Sequence, residues 1–318
     1  MKLSLPIFAL SAMATSLLVA CGGGSSTAPT AANRQAVTLN FDVVNGAQTL
    51  GIAACTTPMV FGNASAVAPA TTIGTSGTMQ DLRFYVSNPV LIDVAGNKSV
   101  ITLTKTVDQD SNVALMDFET GSASCAAGTP TTNTAIVGTV AAGNYVGVEF
   151  DVGVPVKAPD GVTSLNHSDT VAATTPTLLK WAAMAWSWQS GRKFTKFEFV
   201  KPAVAATATA SAVPAVVTMV HLGSTGCPVT ALGVDPVCTS PNRAKVTFAT
   251  GFNPATNKIA LDLGALFSGV NLNTSQTWMS GKVAGMMTAN PAYYYGKFNL
   301  DIASGVPLTT PQTLFVIK

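Results

Sequence analysis

Histidine is nearly absent from this chain, whose 318 residues include only His167 and His221. Charged residues are also scarce, at 10% of the sequence, and the formal net charge is only +2. Binding to nucleic acid phosphates requires a concentrated basic surface, and no such patch occurs in the sequence. Nucleic acid is therefore excluded as a partner, and any site that uses imidazole must be built from these two residues.

Familiar catalytic motifs are missing as well. The sequence contains no glycine-rich phosphate loop, no HExxH, no nucleophile elbow and no CxxCH haem-attachment motif. His167 and Asp169 suggest part of a triad, but adjacent loop positions do not build one and no nucleophilic serine is marked. Asp108 and Asp110 offer oxygen ligands for calcium without the rest of a calcium-binding loop. We predict that the protein is not an enzyme.

The N-terminus carries signals for export and lipid anchoring. Residues 1–20 have one early lysine and an apolar run of signal-peptide length, and "LLVAC" resembles the lipobox in which Cys21 becomes lipidated. A plain secretory signal with a chance cysteine is the alternative. Residues 21–35 are rich in Gly, Ser and Ala and predict a flexible tether. Because Gly22 follows the cysteine, we expect an outer membrane lipoprotein that faces the periplasm or the cell surface.

Four further cysteines, Cys55, Cys125, Cys227 and Cys238, follow the tether. An even number in an exported chain predicts two disulfides, for which three pairings are open. The short loop "CPVTALGVDPVC" favours a bond between Cys227 and Cys238, which leaves Cys55 for Cys125. A thiolate metal site is the alternative, although the sequence has no CxxC and the expected compartment is oxidising.

The rest of the chain, 36–318, predicts a single all-β domain. Apolar residues alternate with polar ones in several short segments, including 37–43, 82–86, 146–152, 259–263 and 298–302. Turn residues bound these segments, and no second apolar run has the length of a membrane span. This pattern predicts an antiparallel β-sandwich with long loops.

The tryptophan-rich stretch "LLKWAAMAWSWQSGRKF" breaks the alternation. We predict a short helix that begins at about Thr177 and runs into an extended segment near Ser187. Helical spacing and strand alternation both put Trp188 beside Met184, but the change from helix to extended backbone leaves open on which side Trp186 or Trp188 lies. Taken alone, the tryptophans indicate a packed aromatic core, and the two histidines indicate an ordinary loop residue and an ordinary strand residue.

Several longer motifs occur in an order that resembles a known family. They are "DLRFYVSNPVLID", "NVALMDFETGSASC", "TNTAIVG", "YVGVEFDVGVPV" with "LNHSDT", "MAWSWQSGRKF" and "VHLGSTGC". Together, from about Val37 to Cys227, they resemble the MbnP family of periplasmic or surface copper-binding proteins, the four-cysteine half of a "metallo-mystery pair". The C-terminal "TWMSGKVAGMM" departs from the family because it has Trp278 and no cysteine. That departure bears on the disulfides and leaves the copper motifs intact.

The resemblance implies a function in copper acquisition or homeostasis. It implies one copper ion and a tryptophan that a partner dihaem enzyme of the MbnH type oxidises to kynurenine. Motif matching assigns His167 and His221 as copper ligands and Trp186 or Trp188 as the modified residue, with Trp188 preferred. Opening the indole yields an aryl amine beside a ketone, so a side chain that only donates hydrogen bonds becomes a ligand.

Two residues near these motifs have alternative roles. Met184 is either a soft copper ligand or, at its helical spacing, a core methionine. Asp169 either orients His167 through a ring nitrogen or the nearby backbone, or caps the loop.

The alternative function is a surface adhesion or carbohydrate-binding sandwich. Its support is the "PAYYYGKF" stretch, in which Tyr293, Tyr294 and Tyr295 offer rings for stacking on sugars. Alternation along a strand would send Tyr294 to the opposite face from its neighbours, so an aromatic strand explains the stretch equally well.

Overall fold

A computed structural model of the protein describes residues 33–61, 75–186, 191–228, 234–280 and 291–318. The predicted signal peptide and the lipidation site Cys21 lie outside the described residues. The first strand begins at Arg34, so the last residues of the predicted tether already belong to the domain. No helix in the described part of the chain is both long and apolar enough to cross a membrane.

Strands dominate the described residues. In chain order they are β1 (Arg34–Asn45), β2 (Gln48–Thr49), β3 (Met59–Phe61), β4 (Thr75–Asp93), β5 (Lys98–Val100), β6 (Thr102–Leu103), β7 (Gln109–Asp110), β8 (Val113–Asp117), β9 (Ala135–Ala141), β10 (Tyr145–Val152), β11 (Thr195–Lys201), β12 (Val216–Leu222), β13 (Ala244–Phe248), β14 (Lys258–Asp262), β15 (Gln276–Met279) and β16 (Phe315–Ile317). The α-helices are α1 (Leu263–Phe267) and α2 (Pro291–Lys297), and short 3₁₀ helices cover Gly51–Cys55, Ala123–Cys125, Thr177–Leu179 and Ala182–Met184.

The strands form two sheets. The smaller has the order β16-β14-β1-β9-β6, with β2 paired to β1, and the larger has the order β13-β10-β4-β11-β12-β15. The long strand β4 also pairs with β3, β5 and β8 in the larger sheet, and β7 pairs with β8. Most pairs are antiparallel as predicted, but β1 with β14 and β12 with β15 are parallel, so both sheets are mixed.

Aromatic rings from both sheets meet in one core, which confirms the predicted β-sandwich. Phe41 of the smaller sheet contacts Phe84 and Phe150 of the larger, with ring centroids 6.2 and 5.7 Å apart. Phe315 of the smaller sheet lies 5.8 Å from Phe84 and 5.7 Å from Phe150. All four rings are at most 3% exposed. Each edge-to-face pair of this kind adds about 0.5–1.5 kcal/mol beyond the burial of its area.

The predicted strand at 298–302 is wrong. Helix α2 precedes it, and Leu300 makes only an isolated bridge to Pro307. Phe298 and Leu300 are both buried, at 2% exposed, where the chain leaves the helix. Ile302, the third apolar residue of the predicted strand, is 47% exposed. The apolar spacing therefore reflects two contacts with the core and not a strand.

An aromatic strand at "PAYYYGKF" is also wrong, because these residues form α2. Tyr294 and Tyr295 are 1% and 7% exposed and pack against Trp278, with ring centroids 5.1 and 5.7 Å away. Tyr293 is half-buried, and the Lys297 ammonium lies over its ring at 5.0 Å. The tyrosines attach the helix to the larger sheet, because Trp278 belongs to β15.

The predicted helix near the tryptophans is present as two short 3₁₀ helices, Thr177–Leu179 and Ala182–Met184. Extended backbone begins at Ala185, which has φ −117° and ψ 151°. One continuous helix does not form because Trp181, between the two turns, has extended backbone at ψ 107°. The change to extended structure that was predicted near Ser187 therefore comes two residues earlier.

Both favoured disulfides are present. Cys55 bonds to Cys125 and Cys227 bonds to Cys238. The first is buried, with 1% and 0% of its cysteines exposed, and it joins two 3₁₀ helices beside β4. The second is only half-buried. The cysteine missing from "TWMSGKVAGMM" is therefore not needed for either bond.

Candidate metal centre

A short hairpin carries the tryptophan segment toward the end of β12. Ala185 and Arg192 form an isolated antiparallel bridge. The Trp186 amide donates to the Gly191 carbonyl at 2.9 Å, which closes the base of the hairpin. Trp188 lies outside the described residues. The role predicted for Trp188 therefore stays a prediction, while the position of Trp186 is known.

Trp186 packs against the segment that follows His221. The tryptophan is 4% exposed. A Cβ atom added to Gly223 would lie 2.9 Å from two atoms of the Trp186 ring and 2.7 Å from the Arg192 carbonyl oxygen. Only glycine permits so close an approach, because a larger residue would displace the ring or the hairpin. Gly223 is two residues beyond His221, so the base of the hairpin lies beside that histidine.

The loop that contains His167 docks on the same hairpin. The Asn166 side chain accepts from the Arg192 amide at 3.0 Å and donates to Ser224 Oγ at 3.3 Å. A Cβ atom at Gly191 would lie 3.3 Å from His167 Nε2, and His167 itself is 2% exposed. The structure therefore brings the His167 loop, the tryptophan hairpin and the end of β12 into one contiguous region.

His221 lies on β12 and has one ring nitrogen in a hydrogen bond. Its Nε2 lies 2.8 Å from Glu198 Oε1, and Lys196 Nζ lies 3.3 Å from the same oxygen. Burial opposes ionisation of Glu198, but bonding and charge from His221 and Lys196 outweigh it and hold its pKa below the usual range. Because Glu198 is ionised, Nε2 carries the proton and donates it, which leaves the lone pair on Nδ1.

Each imidazole has one buried nitrogen that finds no hydrogen-bond partner in the described part of the chain. Nδ1 of His167 and Nδ1 of His221 have no partner among the described residues. Burial lowers the pKa of His167, an effect that Asp235 opposes. Burial also lowers the pKa of His221 and outweighs the opposing hydrogen bond from Glu198. Both rings are therefore neutral at pH 7, which is the protonation state that binds metals.

A second set of ligand atoms surrounds the other nitrogen of His167. Its Nε2 lies 3.9 Å from Cys238 Sγ, and the ligand atoms of His167, Cys227 and Cys238 all lie within 4.8 Å of one another. No comparable group forms around Asp108 or Asp110 in the described ranges. The sulfur atoms are joined as a disulfide, so they are not thiolate ligands in this state.

Two residues predicted near the site have other contacts. Met184 is fully buried and belongs to the hydrophobic core, which favours the core role over that of a copper ligand. Asp169 Oδ1 accepts from the Val171 amide at 3.0 Å, and the Asp169 carbonyl accepts from Thr175 Oγ1 at 2.6 Å. These are the bonds of a loop cap, and they leave Nδ1 of His167 without a bond from Asp169.

Charged residues extend from His221 across four strands of the larger sheet. The strands β8, β4, β11 and β12 lie side by side, and their opposed positions are occupied in turn by Asp117, Arg83, Lys196 and His221. Arg83 bonds to Asp81 through Nε at 2.9 Å, and Lys196 pairs with the same carboxylate. Side chains at directly opposed positions share one face, and the carboxylates of Asp81 and Glu198 on that face link Arg83, Lys196 and His221 into a chain of ionic contacts and hydrogen bonds.

Glu198 and Arg83 were not predicted from the sequence as site residues. The signal was present in "DLRF" and "KFEF", where charged residues alternate with apolar ones that face the core. Alternation alone indicates a solvated outer face. In the structure the part of this face around Arg83 is covered, and Arg83, Asp81 and Glu119 have side chains that are at most 3% exposed.

The carboxyl of Asp117 gives this row a stability that depends on pH. Burial raises the pKa of Asp117 to about 7 from 3.8, although Thr129 Oγ1 donates to it at 2.8 Å. The folded state therefore binds this proton more tightly than the unfolded state. The stabilisation, on the order of 1–4 kcal/mol, is fully present below about pH 4 and is lost as pH rises through about 7. Asp117→Asn, measured by urea unfolding from pH 4 to 8, is expected to remove this loss.

The quantity to compare is the difference in unfolding free energy between Asp117→Asn and wild type at each pH. Titration of the two histidines cancels in that difference. Asp110→Asn, which removes a carboxylate paired with the exposed Lys105 at 2.7 Å, is the matched control. A difference for Asp117→Asn that is constant from pH 4 to 8 would contradict the raised pKa.

These features define a class: a disulfide-bonded β-sandwich protein in which a tryptophan hairpin packs against the loop of one buried histidine and against the end of the strand that carries a second. The chain belongs to the MbnP family, whose model matches residues 34–283. Among solved structures it is similar to MbnP from Methylosinus trichosporium at 30% identity and a TM-score of 0.69. That match covers 89% of this chain and 98% of the other. A comparison with curated proteins found no match.

Proposed function

We propose that this protein is a copper-binding lipoprotein that acts in copper acquisition or homeostasis. One copper ion is held by His167, His221 and a kynurenine made from Trp186 or Trp188. The protein is not itself an enzyme, and a dihaem partner of the MbnH type supplies the oxidation. Cys21 anchors the protein to the outer membrane, on its periplasmic or surface side.

The observation that carries this proposal is the pair of buried Nδ1 atoms of His167 and His221 without hydrogen-bond partners in the described part of the chain. A buried polar atom without a partner costs about 1–3 kcal/mol, so two in one region require an explanation. A metal ion explains both, because each neutral ring offers a lone pair. Copper suits such ligands best among the divalent ions of its row.

The position of Trp186 fits the proposed oxidation. Its ring lies against Gly223, beside His221, so an amine or ketone formed there is near an imidazole. Oxidative opening inserts two oxygen atoms across a double bond of the indole, and hydrolysis then releases one carbon as formate. The product has a nitrogen and an oxygen atom that can bind metal. Trp188, two residues further along the sequence, is the other candidate.

A carbohydrate-binding function finds less support. A stacking platform needs exposed rings, whereas Tyr294 and Tyr295 are 1% and 7% exposed. Tyr293 is half-buried beneath Lys297. Of the described tryptophans, Trp181 is the one with an exposed side chain, at 37%, and one ring does not make a platform.

Expression of the full chain with and without the dihaem partner tests the proposal. We expect one copper ion per chain and one kynurenine after co-expression, and an intact tryptophan without the partner. Peptide mass spectrometry then assigns the modified residue to Trp186 or Trp188. Protein from the co-expressing cells that holds no stoichiometric copper and has every tryptophan intact would refute the proposal.

A further inference from the structure

The half-buried disulfide lies against Nε2 of His167. The other ring nitrogen, Nδ1, is the one that has no hydrogen-bond partner among the described residues. Cys238 Sγ is 3.9 Å from His167 Nε2, and Cys227 completes a group whose ligand atoms lie within 4.8 Å of one another. We propose that opening this disulfide creates a second metal site, in which the thiolates of Cys227 and Cys238 and Nε2 of His167 bind Cu(I). This site shares His167 with the proposed copper site but does not use His221 or a tryptophan.

The donor set selects the metal. Thiolates are soft ligands that favour Cu(I), and a neutral imidazole adds a nitrogen donor. In the disulfide the sulfur atoms carry no negative charge and bind copper weakly. The redox state of this disulfide therefore determines whether the site binds Cu(I).

The reductant is a thiol or dithiol. Two thiols transfer two electrons and two protons to the disulfide, the bond between Cys227 and Cys238 breaks, and the reductant becomes a disulfide. Binding of Cu(I) then releases the two protons from the new thiols.

The surrounding contacts keep the sulfur atoms near His167 after the bond opens. Thr225 and Ser240 exchange backbone hydrogen bonds of 2.9 and 3.1 Å close to the two cysteines. Ser164 Oγ donates to Asp235 Oδ1 at 2.5 Å, which ties the cysteine loop to the loop that contains His167. The site is therefore held together by contacts that do not depend on the disulfide.

Accessibility makes the reduction selective. Cys227 and Cys238 are half-buried, so an external thiol reaches one of their sulfur atoms. Cys55 and Cys125 are 1% and 0% exposed, so their bond is protected in the folded protein. Thiolate exchange requires direct access to sulfur, and of the two described disulfides the Cys227–Cys238 bond is the more exposed.

The two sites share one imidazole and exclude each other at His167. The proposed copper site is expected to use Nδ1, whereas the thiolate site uses Nε2. A neutral imidazole has a single lone pair, so it serves one ion at a time. Reduction is thus expected to withdraw His167 from the first site.

The test uses the full chain expressed without the dihaem partner, so that no kynurenine is present. The protein is reduced with a phosphine under anaerobic conditions, its free thiols are located by alkylation and peptide mass spectrometry, and Cu(I) is titrated against a chromogenic chelator. We expect thiols at Cys227 and Cys238 only. We also expect one Cu(I) per reduced chain, bound at least about tenfold more tightly than by the oxidised chain.

Variants separate this site from the proposed copper site. His221→Ala is expected to keep the reduction-dependent Cu(I), whereas Cys227→Ser with Cys238→Ser is expected to lose it. His167→Ala is expected to weaken it at least about tenfold. X-ray absorption of the reduced wild-type protein, which does not depend on the folding of a variant, is expected to show sulfur and imidazole scatterers around copper.

Equal Cu(I) affinity in the reduced and oxidised chains would overturn the inference. So would equal labelling of Cys55 and Cys125, or a copper environment without sulfur. These failures would leave the proposed function untouched, because that function is measured on oxidised, co-expressed protein. Absence of kynurenine after co-expression would, in turn, leave the thiolate site untouched.

Discussion

Protein with His221→Ala, co-expressed with the dihaem partner, is expected to bind copper at least about 100-fold more weakly than wild type. Loss of a group that only orients a ligand costs a metal site about 10–100-fold, and His221 is proposed as a ligand itself. His167→Ala is expected to have the same effect. Copper is measured by competition with a chelator, and intact mass establishes that kynurenine formed in each variant.

Two further variants distinguish a copper ligand from a residue that orients a ligand and from a residue of the core. Glu198→Gln keeps an oxygen that accepts from His221 Nε2 but removes the negative charge that holds the proton there, so we expect a loss of about 10–100-fold. Met184→Leu is the matched control, because a fully buried core methionine tolerates an exchange of similar volume. Wild-type copper affinity in His221→Ala would contradict the proposed site. A large loss in Met184→Leu would instead make Met184 a ligand.

Replacing Arg83 by methionine is expected to lower the free energy of unfolding by about 3–5 kcal/mol. The guanidinium bonds to Asp81 through Nε at 2.9 Å and lies 3.5 Å from Glu119 Oε1. The Arg83 and Asp81 side chains are 2% and 3% exposed, and that of Glu119 is fully buried. Methionine fills much of the volume but leaves the buried Glu119 without its guanidinium partner and leaves Asp81 with Lys196 as its remaining cation, and this desolvation cost dominates. Urea unfolding at pH 7 under non-reducing conditions measures the effect.

Lys98→Met is the matched control for Arg83→Met. Lys98 pairs with Glu149 at 2.8 Å, but its side chain is 51% exposed, so the pair contributes about 0–1 kcal/mol. Adding Asp81→Asn and Glu119→Gln to Arg83→Met is expected to recover part of the loss, because neutral amides no longer need the cation. A loss below about 1 kcal/mol in Arg83→Met would show that water reaches the carboxylates.

Local patterns predicted most of the sandwich. Alternation marked β1, β4, β10 and β14, because each of these strands faces the core on one side. Alternation failed at 298–302, where Phe298 and Leu300 are buried after a helix and only an isolated bridge forms. The same limit applies to "PAYYYGKF", because three adjacent tyrosines carry no period that distinguishes a helix from a strand.

The site residues were predicted by motif resemblance. The structure added contacts between residues that are far apart in the sequence. The scarcity of histidine directed attention to His167 and His221. Glu198 was missed because its hydrogen bond to His221 joins neighbouring strands, and the register of two strands cannot be predicted from the sequence of either one alone. The closeness of His167 to Cys238 was missed for the same reason, since 71 residues separate them in sequence.

The sequence by itself determined the all-β class and the family and favoured the disulfide pairs that the structure contains, because alternation, cysteine spacing and ordered motifs are local properties of the chain. The tertiary structure alone decided that the outer face of the larger sheet is covered around Arg83, Asp81 and Glu119. Burial by distant loops turns an ordinary row of charges into a desolvated network, and it leaves two imidazole nitrogens without hydrogen-bond partners in the described part of the chain.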